Sequence, residues 1–212
     1  MMHLDEIKTD LPITLFSWDI NTTRYSAVIN DLSETFFKIS RHLIELGHKR
    51  IAFVNGPPFS RISKEKISGY FKAMRKNELS IDEDLIYAGD KYSYHIGFQA
   101  GLHFMKNKTP PTAIVCANDI LAIGCIKSLI YYGYRVPEDV AVTGCDGTEI
   151  SLIFDPSVTT MRLPYDDMSI EAVRILINKI DHPNSKNIQA VFNTTLSVRK
   201  STKRDAAVLL EI

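Results

Sequence analysis

Short apolar runs of strand type alternate with longer segments of helical periodicity along most of this chain. The predicted helices, with apolar residues three and four positions apart, cover residues 33–46, 64–76, 94–106, 119–132 and 164–180. The predicted strands cover residues 13–16, 50–54, 112–116, 140–143, 157–161 and 190–197. Strands separated by helices form βαβ units, in which a mainly parallel sheet is covered by helices on both faces. The sequence therefore predicts an α/β fold with a parallel sheet.

Residues at the predicted helix ends agree with this assignment. Gly47 and Gly133 follow two of the helices, at the position where a left-handed residue ends a helix and glycine is favoured. Pro164 stands at the first turn of the last helix. Asp166 and Asp167 follow it, where negative charge suits the positive end of the helix dipole.

Composition excludes several classes of protein. The 212 residues include 25 Lys and Arg and 25 Asp and Glu, so the formal net charge is zero, whereas a stand-alone nucleic-acid binder usually carries a basic excess. The apolar fraction of 45% and charged fraction of 24% are typical of soluble globular proteins and not of disordered chains. Apolar stretches are far shorter than the roughly 20 residues of a membrane span, and the polar N-terminus has no signal-peptide pattern. We therefore expect a cytoplasmic protein without membrane contact.

Signatures of enzymes and metal sites are missing from the sequence. It contains no phosphate-binding loop, dinucleotide fingerprint or nucleophile elbow, and its histidines are not spaced as zinc ligands. Cys116, Cys125 and Cys145 lie in or beside apolar runs, which favours buried, inert thiols over reactive ones. A basic cluster at residues 199–204 is interpreted as a solvated chain end rather than a nucleic-acid contact. We expect no metal, no cofactor and no catalytic residues.

Polar residues follow several predicted strands, at the edge of a parallel sheet where ligands gather. Asn118 and Asp119 follow strand 112–116, Asp146 follows strand 140–143, and Lys66 lies after strand 50–54. Each has an ordinary structural alternative, because Asn and Asp also cap helices and occupy turns. Together they could bind a small polyhydroxyl ligand, since a carboxylate accepts two hydroxyls and Lys and Asn donate. Tyr92 could provide an apolar face for a ligand ring.

Several ordered motifs resemble the lactose-repressor/galactose-repressor (LacI/GalR) family of bacterial transcription regulators. The motifs are HLIELGHKRIAFV at 42–54, PTAIVCAND at 111–119, AIG at 122–124, GYRVPEDVAVTGCD at 133–146 and PSVTTMR at 156–162. The resemblance covers residues 12–202, and this many motifs in order are seldom matched by chance.

The resemblance implies a periplasmic-binding-protein-like core of two α/β subdomains, with a sugar, nucleoside or similar effector between them. Its ligand positions are Asp146, Asn118, a basic position at Lys66 and an aromatic position at Tyr92, with Asp119 capping the adjacent helix. The implied map is a remnant of the N-terminal subdomain at 1–31, the C-terminal effector-binding subdomain at 32–162, a helix of the first subdomain at 163–186, a final strand of the second at 187–202, and a tail at 203–212.

This sequence departs from the family pattern in four places. Lys66 stands where the family has Arg, and an ammonium does not replace a guanidinium fork without loss. Cys145-Asp146-Gly147 replaces an aromatic-Asp-Asp/Asn sequence, and Leu163 occupies a position often held by Gln. The family's helix-turn-helix head and most of its first subdomain are also absent from this sequence.

The resemblance predicts the effector-binding and dimerisation core of a transcriptional repressor, acting as a homodimer on a sugar or nucleoside-like effector. Operator DNA would be bound only through a head that this chain lacks. Three other interpretations stay open. They are a sugar-binding protein of a transport system, an enzyme using Asp146 and Lys66 as its acid/base pair, and a truncated regulator without a ligand.

Overall fold

The computed structural model describes residues 11–16 and 24–206 of the protein. The acidic N-terminus at 1–10 and the last part of the expected tail, 207–212, lie outside the described residues. Strands and helices alternate through the described part, which confirms the predicted α/β fold. The strands are β1 Thr14–Phe16, β2 Ser26–Asn30, β3 Ile51–Asn55, β4 Ile86–Ala88, β5 Ala113–Cys116, β6 Ala141–Asp146, β7 Thr159–Arg162, β8 Gln189–Phe192 and β9 Thr195–Ser197. The helices are α1 Leu32–Glu45, α2 Arg61–Lys76, α3 Tyr94–Met105, α4 Asp119–Tyr131, α5 Glu149–Ile153 and α6 Tyr165–Asp181.

The chain divides into two compact units. The small unit comprises the described residues up to Asn30 together with Pro164–Phe192, and the large unit comprises Asp31–Leu163 with the residues from Asn193 onward. In the small unit a parallel sheet has the order β1-β2-β8. Helix α6 packs on β1 and β2 and buries Met168 and Ile175.

The large unit is built on a six-stranded sheet with the order β4-β3-β5-β6-β7-β9. All neighbouring strands are parallel except β9, which runs antiparallel to β7. Helices α1 and α2 pack against each other, as do α3 and α4. Every residue of β3 and β5 is buried, so helices must cover both faces of the sheet, one pair on each.

The residues at the helix ends have the conformations and positions that the sequence predicts. Gly47 and Gly133 have φ angles of 95° and 86°, the left-handed conformation predicted for residues that follow a helix. Pro164 is the N-cap of α6, and Asp166 and Asp167 lie in its first turn. These interactions depend only on neighbours along the chain, which is why the sequence alone predicts them.

The prediction of a single strand at 190–197 is wrong. The structure has two strands there, β8 parallel to β2 in the small unit and β9 antiparallel to β7 in the large unit. The Val- and Thr-rich pattern continues across the break, so propensity gives no sign that the pairing partner changes. The chain accordingly returns to the large unit at Asn193 rather than at residue 187. Strands β2 and β4 and the short helix α5 were not predicted.

The basic cluster at 199–204 is also not the solvated chain end that was expected. Arg199 is 6% exposed, and its guanidinium donates to Ser151 Oγ at 2.9 Å and to the carbonyl of Val158 at 3.1 Å. Thr202 Oγ1 lies 2.7 Å from Thr159 Oγ1. The first part of the cluster is therefore a buried segment that is hydrogen-bonded to the strands of the large unit. Arg204 at the end of the cluster is exposed and pairs with Glu138 at 2.6 Å.

Candidate functional site

The carboxyl ends of β3, β5 and β6 lie side by side in the large unit, because these strands are parallel neighbours. Asn55, Asn118 and Asp146 stand at or just after these three ends. Lys66 comes to the same edge from α2, and Tyr92 comes from the loop before α3. The structure therefore brings the predicted polar residues to one edge of the sheet, as the sequence pattern predicts.

Lys66 is a buried lysine fixed by three neighbours. It is 5% exposed, and its Nζ donates to the carbonyl of Ala117 at 2.7 Å. The same ammonium lies 4.8 Å from the ring centroid of Tyr92 and 5.5 Å from that of Phe36. A cation over an aromatic face gains electrostatic attraction, which offsets part of the cost of its burial. The charge therefore has one defined position at the end of β5.

Tyr92 is held in place by a chain of hydrogen bonds. Its hydroxyl lies 2.8 Å from Ser63 Oγ, and the carbonyl of Ser63 accepts a 3.0 Å bond from Asn55 Nδ2. The ring packs directly on Gly56, where a Cβ atom would come within 2.3 Å of Tyr92 Cζ. Ser63 is not among the site residues predicted from the sequence, although it lies one helical turn before Lys66 and therefore on the same face of α2.

Asp146 is the last residue of β6 and has an unusual backbone conformation. Its φ is 114°, a region that residues other than glycine rarely adopt, and such positions are frequent at ligand sites. Burial raises the pKa of the Asp146 carboxyl to about 7. The Lys66 ammonium opposes this rise, the Asp119 carboxylate adds to it, and the Cys145 thiol opposes it. The Asp146 carboxyl therefore titrates near neutral pH.

Asn118, and not Asp119, is the residue that caps helix α4. Asn118 is the N-cap of α4, and its Oδ1 accepts the backbone N–H of Leu121 at 2.9 Å, so the expectation that Asp119 caps this helix is wrong. Asp119 is fully buried and instead accepts bonds from outside its own helix. The donors are the Thr148 N–H and Thr148 Oγ1, both at 2.8 Å, and Thr160 Oγ1 at 2.6 Å.

Arg162 is a further polar residue at this edge, and it belongs to the motif at 156–162 but not to the predicted ligand positions. It is the last residue of β7 and pairs in register with Asp146. A Cβ atom on Gly147 would lie 2.4 Å from Arg162 Cγ, so the loop after β6 passes close over this side chain. Its position after a predicted strand was the signal that could have marked it.

Other chemistry is not evident in the described part of the chain. The three cysteines are buried, as expected, and burial raises the pKa of the Cys116 and Cys145 thiols. Within residues 11–16 and 24–206, no three His, Cys, Asp or Glu side chains are grouped as metal ligands. No helix in these ranges is both long and apolar enough to cross a bilayer.

Replacing Asp119 by Ala should cost much more stability than replacing its neighbour Asn118 by Ala. Asp119→Ala removes the acceptor of three hydrogen bonds from Thr148 and Thr160, which we expect to lower the free energy of unfolding by about 3 kcal/mol. Asn118→Ala removes one helix cap and should cost about 1 kcal/mol. Urea denaturation at neutral pH measures both. Equal losses would contradict the role given to Asp119.

The stability difference between the wild type and Asp146→Asn should depend on pH. Because the folded-state pKa of Asp146 is raised to about 7, the native carboxyl keeps a proton that the unfolded chain releases at lower pH. Its contribution to stability is present at low pH and is lost as pH rises toward 7, by at most about 1.4 kcal/mol per pH unit. The Asp146→Asn variant cannot titrate at this position, so the contributions of all other titrating groups to the pH dependence cancel when the two free energies of unfolding are subtracted. A difference that stays constant between pH 5 and 8 would contradict the raised pKa.

Known proteins resemble this chain over most of its length. The model of the periplasmic binding protein-like domain family matches residues 40–202. The HTH-type transcriptional repressor PurR of Aliivibrio salmonicida is 29% identical over 94% of this chain and 60% of its own length. The chain thus spans about three fifths of the length of this curated relative.

Solved structures give the same result. A sugar-binding transcriptional regulator of the LacI family from Escherichia coli, crystallised with phosphate, has a TM-score of 0.81 and 27% identity, covering 91% of this chain and 69% of that one. The transcriptional regulator CelR in complex with cellobiose also has a TM-score of 0.81 and 27% identity, covering 89% and 58%. These matches confirm the resemblance recognised in the sequence motifs. The chain belongs to the periplasmic binding protein-like domain family, in the form found in LacI/GalR-type transcriptional regulators.

Proposed function

We propose that this chain is the effector-binding and dimerisation core of a LacI/GalR-type repressor, and that its effector is a small molecule rich in hydroxyl groups, such as a sugar. The observation that carries the proposal is the meeting of Asp146, Lys66 and Tyr92 at the carboxyl edge of the six-stranded sheet. An acceptor, a cation and an aromatic face in one place are the groups that a sugar ring requires.

Each residue has a distinct role in this proposal. Asp146, once ionised, accepts hydroxyl groups of the ligand, and Tyr92 presents its ring to the apolar face of a sugar. Asn118 uses its Oδ1 for the helix cap, so its Nδ2 amide is the group that can donate to a ligand. Arg162 supplies further donors beside Asp146. Asp119 acts as a positioning residue because its carboxylate is committed to Thr148 and Thr160.

The raised pKa of Asp146 supports a neutral ligand with hydroxyl groups. An unliganded Asp146 with a pKa of about 7 is poorly solvated in its ionised form. Ligand hydroxyls that donate to the carboxylate would replace the missing water, so binding and ionisation favour each other. CelR and the Escherichia coli regulator are described as binding cellobiose and sugar, which fits the same class of ligand.

Regulation would follow from a shift between two arrangements of the protein. A ligand that binds one arrangement more tightly increases its population, by an amount set by the difference in affinity. In a complete regulator of this type, such a change would alter the spacing of two DNA-binding heads. We propose operator DNA as a partner of the complete regulator only.

Thermal unfolding with a panel of sugars and nucleosides tests the proposed ligand class. A saturating ligand should raise the melting temperature of the wild type by several degrees, because it binds only the folded state. Asp146→Ala should abolish this rise while keeping or raising the unliganded melting temperature, since a poorly solvated carboxyl is removed. Asp155→Ala, which removes an exposed carboxylate elsewhere in the large unit, is the matched control and should respond like the wild type. No stabilisation by any member of the panel would contradict the proposal.

An aromatic strip on α3 and α4 supports the proposed dimerisation. Its members are Tyr94, Phe98 and Tyr131, with ring centroids 6.1 Å apart for the first pair and 6.3 Å for the second. Tyr94 is 38% exposed and Tyr131 is 75% exposed. Exposed aromatic residues of this kind are enriched at protein interfaces, where they bury large areas at little entropic cost. Ile150 and Ile153 add exposed apolar surface on α5, which contacts α4.

Charges placed on the aromatic strip should separate the dimer. The double variant Tyr94→Glu/Tyr131→Glu puts two carboxylates at the proposed interface, and sedimentation velocity at micromolar concentrations should change from dimer to monomer. Phe59→Glu is the control, because Phe59 is 91% exposed and belongs to the loop between β3 and α2 rather than to α3 or α4. A wild type that is monomeric, or a double variant that still dimerises, would contradict this interface.

A further inference from the structure

Helix α2 carries a concentration of positive charge that contrasts with the neutral chain. Arg61–Lys76 contains six of the 25 basic residues and one acidic residue, Glu65. Arg61 pairs with Glu65 at 3.1 Å, and Lys66 is buried at the ligand site. The remaining four cations, Lys64, Lys72, Arg75 and Lys76, are exposed.

Most of this charge lies on one side of the helix. A shallow, open depression of about 540 Å³ runs along α2, and its lining residues recur at helical spacing. They are Lys64, Ile67, Ser68, Phe71, Lys72 and Arg75, which we call the outer face of α2. The buried residues of α2, such as Tyr70 and Met74, lie on its opposite side. Partly exposed Ile67 and Phe71 form an apolar floor between the cations.

The cations of the outer face are already ordered by aromatic rings. Lys72 Nζ lies 4.9 Å from the ring centroid of Phe37, and Arg75 Cζ lies 5.7 Å from that of Phe71. Side chains held in this way lose less conformational freedom when a partner binds. Lys72 also pairs with Glu34 at 3.1 Å, but an exposed ion pair of this kind is weak and can exchange for another carboxylate.

We propose that the outer face of α2 binds an acidic peptide segment of a protein partner, with one aromatic or aliphatic anchor side chain seated over Ile67 and Phe71. Charge complementarity supplies the argument for an acidic partner, because Lys64, Lys72 and Arg75 surround the floor with positive charge. A peptide is favoured over a nucleic acid because the chain has no net basic excess, which nucleic-acid binders usually carry. A second copy of the chain is already assigned to the aromatic strip on α3 and α4, which pack on the other face of the sheet.

A displayed library of random peptides about twelve residues long tests this surface with the 212-residue chain. Selection on the wild type should enrich Asp and Glu around a Trp, Phe or Leu. A synthetic peptide made from the enriched sequence should then bind about tenfold more weakly to Lys64→Gln/Lys72→Gln/Arg75→Gln, and more weakly in high salt. Lys106→Gln/Lys108→Gln removes exposed positive charge near the end of α3 and should bind like the wild type.

The apolar anchor is tested separately from the charge. Replacing the anchor of the synthetic peptide by Ser should reduce its affinity for the wild type at least tenfold, while a DNA oligonucleotide of equal charge should not compete. The proposal is overturned if no peptide is enriched, if both charge variants weaken binding equally, or if the oligonucleotide displaces the peptide. Concentration-dependent self-association that is lost in the α2 variant would also overturn it, because a second copy would then be the partner. Unchanged circular dichroism of each variant shows that altered binding is not a loss of fold.

Discussion

The buried carboxylate of Asp119 is the interaction on which the ligand-side edge of the large unit depends. It begins α4 directly after β5 and accepts hydrogen bonds from Thr148 in the loop after β6 and from Thr160 in β7. Gly144 must be glycine to admit it, because a Cβ atom there would lie 2.4 Å from Asp119 Oδ1. One side chain thus joins β5 to β7 and to the loop after β6. Burial raises the pKa of Asp119, and the hydrogen bonds from Thr148 and Thr160 oppose this rise because they favour the ionised carboxylate.

The two carboxylates at this edge differ because their donors differ. Asp119 is surrounded by hydroxyl and amide donors of the protein, so its charge is compensated inside the fold. Asp146 has the Lys66 ammonium nearby and the Cys145 thiol, a weak donor, while burial raises its pKa to about 7. A ligand can therefore improve the surroundings of Asp146 but not those of Asp119, and this difference separates a proposed binding residue from a positioning residue.

What could be predicted from the sequence follows from the range of the interactions involved. The five longer helices, most strands and the glycines at 47 and 133 depend on neighbours in sequence, and their predicted positions agree with the structure within a few residues. The break between β8 and β9, the buried position of Arg199 and the true role of Asp119 depend on partners far along the chain. Asp119 and Thr160, for example, are 41 residues apart. An Asp after a strand has the same local pattern whether it caps a helix or ties two strands together.

Helix α2 illustrates how one short segment can serve two surfaces. Its buried side brings Ser63 and Lys66 to the ligand site, while Lys64 and Ile67, the adjacent residues, belong to the basic outer face. Helical geometry separates these residues, because positions three or four apart share a face of the helix and adjacent positions do not. A ligand at Lys66 and a partner on the outer face would therefore contact the same helix from different sides.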